Sequence, residues 1–410
     1  MRRVVVTGLG AVTPIGNNVE EMWKSVENGV CGIAPITHYD TTGRKVTLAG
    51  EVKNFAPENF LDKKELRKMD RFTQFAMVAA KEAVADSQLN LEETDLSRCG
   101  VMVASGIGGL GTIQTECLKG NEKGYDRVSP YFVPMSIVNM AAGQIAIAYV
   151  FRGMCTSVVT ACASATNAIG DAFRHIRDGY GEVMLCGGAE ASITPFGIGG
   201  FTSLTALSQS TDPNRASIPF DKERSGFVMG EGAGILVLEE YEHAMKRGAK
   251  IYCEIVGYGA NCDAHHITAP LEDGSGAAAC MKIAMADAKI EPSDITYINA
   301  HGTSTPLNDK GETRAIKIAL GDAAANVMVS STKSMTGHLL GASGAVEGVI
   351  SALSVNKDFV PATINYQVPD ENCDLDIVPN QGRNTTVNYA MSNSLGFGGH
   401  NASIIFKKFA

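Results

Sequence analysis

Cys162 stands in the run Thr160-Ala161-Cys162-Ala163-Ser164, between a stretch of strand character (155–160) and one of helical character (163–178). A thiol at a strand-to-helix junction faces unpaired backbone amides and the positive end of a helix dipole, which favour the nucleophilic thiolate. Small residues at 161, 163 and 164 leave room for a substrate to reach the sulfur. On this motif alone, a structural cysteine packed at a tight junction is the readier explanation. Cys31, Cys99, Cys117, Cys186 and the remaining cysteines have no comparable setting.

Two histidines change the balance. His301 follows the strand-like run 295–300, and His338 follows the run 327–331 by way of Lys333-Ser334-Met335-Thr336-Gly337. Both project from the C-terminal ends of strands, where α/β sheets place their sites. A lone loop histidine is ordinarily a satisfied polar residue, but two at matching strand ends, with a candidate nucleophile on a third, form a constellation. A neutral imidazole donates a hydrogen bond or accepts a proton near pH 7. Gly396-Phe397-Gly398-Gly399 adds a loop whose amides can approach a bound carbonyl and, with the Cys162 amide, form an oxyanion hole. A plain β-hairpin turn is the other reading of that loop, and the two are compatible.

Other motifs fall away. Gly106-Ile107-Gly108-Gly109-Leu110-Gly111 is a literal G-x-G-x-x-G, with Asp126 a plausible distance on. A dinucleotide site needs a long helix and then a second strand ending in that acid, whereas the residues that follow are polar and broken by Gly120 and Gly124. Cys253, Cys262, His265 and His266 lack the paired spacings of a structural zinc site, so core cysteines and loop histidines account for them.

The elements that must hold the site belong to a large α/β chain. At 410 residues it exceeds the size at which single cores stop growing, so two domains or a duplicated one are expected. Hydrophobic residues at 45% and charged ones at 19% describe a folded globular protein. The 44 glycines come in short clusters that point to tight turns and close backbone approaches. A net charge of -9 argues against a general nucleic-acid binder. MRRVVVTGLG is too short an apolar start for a signal peptide, and no run reaches the roughly 18 apolar residues of a membrane span. Ten irregularly spaced cysteines suggest reduced thiols in the cytoplasm.

Apolar β-branched runs alternate with helical patterns. Strands are expected at 4–7, 100–105 and 156–160, then at 251–258, 295–300 and 327–331. Helices are expected at 65–87, 134–149 and 163–178, then at 276–288, 310–320 and 341–356. The halves echo one another: residues 226–238 and 394–406 each place glycines before a terminal apolar strand. In each half a buried-type strand also enters a small-residue loop and then an Ala/Gly-rich helix. Duplication is the reading that covers both features, dividing the chain into residues 1–250 and 251–410.

TGLGAVTPIGN at the start, SGIGG (105–109), TACAS around Cys162 and DKERSGFVMGEGAG (221–234) resemble the β-ketoacyl-[acyl-carrier-protein] synthases. So do HGTSTPLND (301–309), KSMTGHLLGASG (333–344) and NSLGFGGHN (393–401). The resemblance spans the chain in order and is strongest to the bacterial elongating synthase II of type II fatty-acid synthesis. It implies a thiolase-like fold, two pseudo-duplicated halves in a five-layered αβαβα sandwich, and a homodimer that needs no cofactor. The implied reaction moves an acyl group from acyl carrier protein to Cys162. Malonyl-carrier protein then loses carbon dioxide, and its carbanion attacks the thioester.

On the same resemblance Cys162 is the nucleophile, His301 and His338 the paired histidines, and Lys333 and Glu347 the supporting pair. Phe397 is the aromatic gate, Thr303 and Thr305 touch the pantetheine arm, and Ile107 shapes the acyl pocket. Phe201, Gly398 and Gly399 are expected at the substrate as well. Lys63, Lys64, Arg67, Lys68 and Arg127 stand for the patch that receives acidic carrier protein, although Asp126 and Thr205 fall where some relatives are basic. Asn299, Glu347, Ser392 and Asn393 match positions that hold a cation in some members. No metal is expected here, because those groups can equally hydrogen-bond one another.

Neighbouring functions fit less well. A thiolase would carry a second cysteine in the C-terminal glycine loop, and an initiating synthase an asparagine where His338 stands. A non-catalytic chain-length factor would lack the active cysteine. A free-standing polyketide ketosynthase would share every catalytic residue and is the runner-up.

Overall fold

The apolar runs become strands of one ten-stranded sheet in a computed structural model that describes residues 1–409. The first half contributes β1 (Val4–Val12), β2 (Cys99–Ala104), β3 (Cys155–Thr156), β4 (Val183–Glu190) and β5 (Gly232–Glu240). The second contributes β6 (Cys253–Cys262), β7 (Tyr297–Asn299), β8 (Met328–Ser330), β9 (Tyr389–Gly396) and β10 (His400–Lys408). Across the sheet the order is β8-β7-β9-β10-β6-β1-β5-β4-β2-β3. Counted from its own first strand, each half therefore runs third, second, fourth, fifth, first. The polarities repeat too: β3, β2 and β4 are mutually parallel like β8, β7 and β9, while the last two pairings of each half are antiparallel. The halves join where Val4–Val6 pair antiparallel with Cys253–Ile255, a seam that sequence periodicity does not reveal.

Six helices complete the layers: α1 (Arg71–Ser87), α2 (Leu110–Lys123), α3 (Ser164–Arg177), α4 (Ser275–Ala288), α5 (Pro306–Leu320) and α6 (Ser343–Lys357). Strand side chains alternate between faces, so each sheet half has two apolar sides to cover. In β5, Ile235 and Val237 face Phe72, Phe75 and Ala79 of α1. Leu236 and Leu238 face the opposite way, joining Ile169 and Phe173 of α3 and Val346 and Ile350 of α6. From the other half, Ile404 and Phe406 of β10 enter that same central cluster, while Ile405 turns outward to Met281 and Met285 of α4 and Ile316 of α5. The result is helix, sheet, helix, sheet, helix, as expected. The close approach of α1 to β1 depends on Gly10, where a Cβ would lie 1.9 Å from Ala79 O.

Several local expectations are corrected. Only Cys155 and Thr156 of the run 156–160 and its flank pair in the sheet, because the chain must leave it to aim Cys162 at the site. The expected helix 65–87 is a single turn, Lys63–Leu66, and then α1, divided where the Asp70 carboxylate accepts from Phe72 N. The expected helix 134–149 splits likewise into Phe132–Ser136 and Met140–Tyr149. After the G-x-G-x-x-G run the polar stretch does form a helix, α2, which passes Gly120 and stops at Gly124 (φ +96°). No strand follows it directly, so the dinucleotide arrangement is absent. Among the described residues, no helix is long and apolar enough to cross a membrane.

Candidate active site

The two central helices start in the same way. A 3-10 turn, Ala161–Ala163, leads into α3, and another, Leu340–Ala342, leads into α6. Each turn opens on a non-glycine residue in the left-handed region, Ala161 at φ +52° and Leu340 at φ +49°. This strained conformation is of the kind found where surrounding structure dictates the backbone. Thr160-Ala-Cys-Ala-Ser thus overlays Leu339-Leu-Gly-Ala-Ser, and the counterpart of Cys162 is Gly341.

Cys162 is 9% exposed and opens onto a cavity of about 410 Å³. Phe201, His301, Thr303, Thr305, His338, Phe397 and Gly399 line the same cavity. The backbone amides of Phe397 and of Cys162 itself face the sulfur and favour its thiolate. Gly396-Phe397-Gly398-Gly399 is also a hairpin turn, with Gly396 opposite His400 in the β9–β10 ladder, so both sequence readings of that loop hold. Burial nevertheless pushes the Cys162 thiol up to about 12, with Glu190 acting the same way, against the Lys333 ammonium and the two amides. A lowered thiol pKa was expected from the helix terminus alone. In the closed cavity desolvation outweighs it, and the resting group is the thiol.

The His301 and His338 rings lie perpendicular with centroids 5.2 Å apart, and Phe227 packs edge-on against His338 at 5.2 Å. His338 Nδ1 lies 2.9 Å from Ser343 Oγ, while His338 Nε2 and His301 Nδ1 are buried without partners. Burial and the Lys333 charge hold both imidazoles well below their ordinary range, with His338 adding to the effect on His301. Both rings are therefore neutral at pH 7. Lys333 Nζ donates to Glu347 Oε1 in a fully buried pair behind the cavity. Burial raises the Glu347 carboxyl, and Lys333 opposes that rise.

Sequence reasoning missed the groups that hold these in place. Glu312 accepts from His301 N (2.7 Å) and Gly302 N (2.8 Å), and burial pushes it up to about 7. Arg224 donates to the carbonyls of Thr305 (3.3 Å) and Pro306 (3.2 Å), fixing the loop whose Thr303 and Thr305 hydroxyls lie 2.9 Å apart. Arg224 lies within a matched segment (221–234) and Glu312 just beyond one (301–309), and nothing in local spacing separates either from a surface charge.

Phe201, on the cavity wall, packs edge-on against Phe227 (5.4 Å) and tilted against Phe397 (6.2 Å). Other expected residues sit farther off. Ile107 does not line the cavity; it packs in an apolar cluster with Phe201, Phe227 and Leu340. Gly398 (φ +85°) sits at the loop tip, where its N–H donates to Ile267 O. Lys63, Lys64 and Arg67 are exposed on and beside the single turn, Arg127 is exposed on a separate one, and Lys68 bonds Glu65 at 2.7 Å. These cations do not share one long helix face.

Asn299, Glu347, Ser392 and Asn393 do not satisfy one another in the way their hydrogen-bonding capacity suggests. Asn299 Oδ1, Glu347 Oε2 and Ser392 Oγ are buried without partners, and Asn299 and Ser392 are register neighbours on β7 and β9. Such oxygen donors suit a hard cation. Among the described residues, no three His, Cys, Asp or Glu side chains gather as metal ligands.

The β-ketoacyl synthase N-terminal domain matches residues 1–244, and the β-ketoacyl synthase C-terminal domain matches residues 252–367. The 3-oxoacyl-[acyl-carrier-protein] synthase 2 of Staphylococcus aureus (strain COL) is 54% identical over 408 residues, covering 100% of this chain and 99% of that protein. The protein of the same name from Synechocystis sp. is 52% identical over 409 residues, covering 100% and 98%. A type II polyketide ketosynthase solved in complex with its acyl-carrier protein superposes with a TM-score of 0.93 at 38% identity, covering all of both chains. A β-ketoacyl synthase from Burkholderia phymatum does so at 0.91 and 34%, again over all of both chains. With its matched domains, its fold and its full-length relatives, the chain belongs to the β-ketoacyl synthase family and has the thiolase-like ketosynthase fold.

Proposed function

We propose that the protein is a 3-oxoacyl-[acyl-carrier-protein] synthase, which lengthens a carrier-bound acyl chain by two carbons through decarboxylative condensation. The observation that carries this is the convergence of Cys162, two neutral imidazoles and two sulfur-facing amides on one cavity. In the first half-reaction Cys162 Sγ takes the acyl group, and the departing carrier thiolate takes up the proton that the thiol loses. The Cys162 and Phe397 amides hold the oxyanion. In the second, the malonyl carboxylate leaves as carbon dioxide. His301 and His338 donate to the enolate oxygen that develops, and the enolate carbon attacks the Cys162 thioester. Cys162 leaves as thiolate and is reprotonated, so each cycle consumes one proton. No step calls for a resident cofactor. Lys333 and Glu347 back the histidines, Thr303 and Thr305 face the entering arm, and Phe201, Gly398 and Gly399 shape the approach.

Residues 1–250 would supply the nucleophile, and 251–410 both histidines and the glycine loop. The partner is acyl carrier protein, docking on Lys63, Lys64, Arg67, Lys68 and Arg127. The second partner is another copy of the chain, a homodimer that the sheet edges support. The β8 edge is covered within the chain, where Val329 N donates to Asp376 O. The equivalent β3 edge is open and flanked by exposed Met154 (44%) and Val159 (53%), ready to pair with a second copy. All ten cysteines are free, which fits the reducing cytoplasm.

The deciding experiment supplies purified protein with malonyl-carrier protein and a ladder of acyl-carrier primers. It should yield carbon dioxide and 3-oxoacyl products two carbons longer. A polyketide ketosynthase, the reading favoured by the fold likeness at 38% identity, would extend one chain repeatedly without reduction.

A further inference from the structure

Glu190 ends β4 with its side chain wholly out of solvent, and among the described residues no Lys, Arg or His pairs with it. Five donors surround its carboxylate. Gly106 N (2.8 Å) and Gly341 N (3.1 Å) bond Oε2, while Ile107 N (3.3 Å), Ser105 Oγ (3.1 Å) and Ser192 Oγ (3.0 Å) bond Oε1. These donors come from two places that matter to the reaction. Residues 105–107 form the loop bearing Ile107, and Gly341 lies in the turn between His338 and Ser343. The two backbones are pressed together at this point, since a Cβ on Gly341 would lie 2.1 Å from Gly106 N. Ile107 and Leu340 share one apolar cluster with Phe227, which in turn packs on His338.

The internal repeat shows why an acid stands here. In the second half β9 runs out into Phe397, whose amide faces Cys162 at the start of α3. In the first half β4 runs out into Glu190, whose carboxylate faces Gly341 at the start of α6. The helix terminus that in one half serves the nucleophile is occupied in the other by a buried carboxyl, which burial raises above the usual carboxylate range against the Gly106 and Gly341 amides and the two serine hydroxyls.

We propose that Glu190 is a positioning residue for the condensation, a buried strap that sets the acyl-pocket loop and the His338 turn together. The proposal rests on the condensing activity above, which the wild-type protein tests by itself. Glu190→Ala frees both backbones, so use of long-chain primers and malonyl decarboxylation should fall together. Displacement of a reacting group by about 1 Å costs on the order of 10²-fold. Alkylation by iodoacetamide should still reach Cys162 and still spare the buried Cys99, Cys186, Cys253, Cys280 and Cys373, which a general unfolding would open as well. Glu190→Gln keeps an oxygen for the Gly106 and Gly341 amides, and the two serine hydroxyls can turn to accept from its amide, so that only the longest of the five bonds, from Ile107 N (3.3 Å), is lost. It should restore both activities. If Glu190→Ala does not fold, the doubly substituted Ser105→Ala/Ser192→Ala protein should show the same paired loss in smaller measure. Loss of one activity without the other in a folded variant, or of neither, overturns the proposal.

Discussion

Ser343 Oγ lies 2.9 Å from His338 Nδ1, and the opposite nitrogen of that ring is buried with no partner of its own. A serine hydroxyl donating to Nδ1 leaves the proton on Nε2, the tautomer that can donate to an enolate oxygen in the cavity. Ser343→Ala should therefore lower malonyl decarboxylation by roughly fivefold, the equivalent of one hydrogen bond near 1 kcal/mol. Self-acylation of Cys162 should be unchanged. His338→Ala should lose about 10²-fold or more in decarboxylation, as expected when a transition-state donor is removed. Carbon dioxide release and acyl-enzyme formation, measured separately, check both; equal losses in the two half-reactions would remove the tautomer argument.

Burial holds the Cys162 thiol up to about 12 in the closed cavity. The reactive thiolate fraction should then keep rising with pH, so alkylation by iodoacetamide should still climb between about pH 8 and 10. A plateau reached by pH 8 would mean that the helix terminus wins after all.

Lys333 depresses both imidazoles, so its loss should raise their pKa values. Protonated rings begin to replace neutral ones as pH falls through the raised values. The acid limb of decarboxylation should therefore move to higher pH in Lys333→Met. The same change leaves Glu347 buried without its partner and should cost about 3–5 kcal/mol in denaturant unfolding. An unshifted acid limb would separate Lys333 from the histidines.

Charge reversal at Lys64, Arg67 and Lys68 should raise KM for acyl-carrier protein by about tenfold, through a slower encounter. Turnover of a small acyl-pantetheine thioester should be unaffected. Added salt should weaken the wild-type protein toward carrier substrates, since exposed charges are screened beyond about 10 Å at 0.1 M. A triple variant that handles both substrates like wild type would move the dock elsewhere.

The strand-end positions of His301 and His338 and the strand–helix setting of Cys162 were legible because they follow from local apolar patterns. The repeat was legible only as two echoes of glycine and strand, yet it proved to be a full topological duplication that pairs Cys162 with Gly341. What sequence alone missed depends on distance in space. Glu190 and Gly341 are 151 residues apart, and Arg224 reaches a carbonyl 81 residues away. The thiol's pKa direction was misjudged for a related reason: a helix terminus is visible in local pattern, whereas burial is set by the whole fold. The turn that opens at Ala161 (φ +52°) also draws residues 157–160 of an expected strand out of the sheet.

The central claim is that the acyl chain is carried on Cys162. Intact-mass analysis after incubation with acyl-carrier protein, followed by peptide mapping, tests it directly. A single acyl adduct on Cys162, absent from Cys162→Ala, is the predicted result. An adduct on any of the other nine cysteines, or condensation that persists in Cys162→Ala, would contradict it.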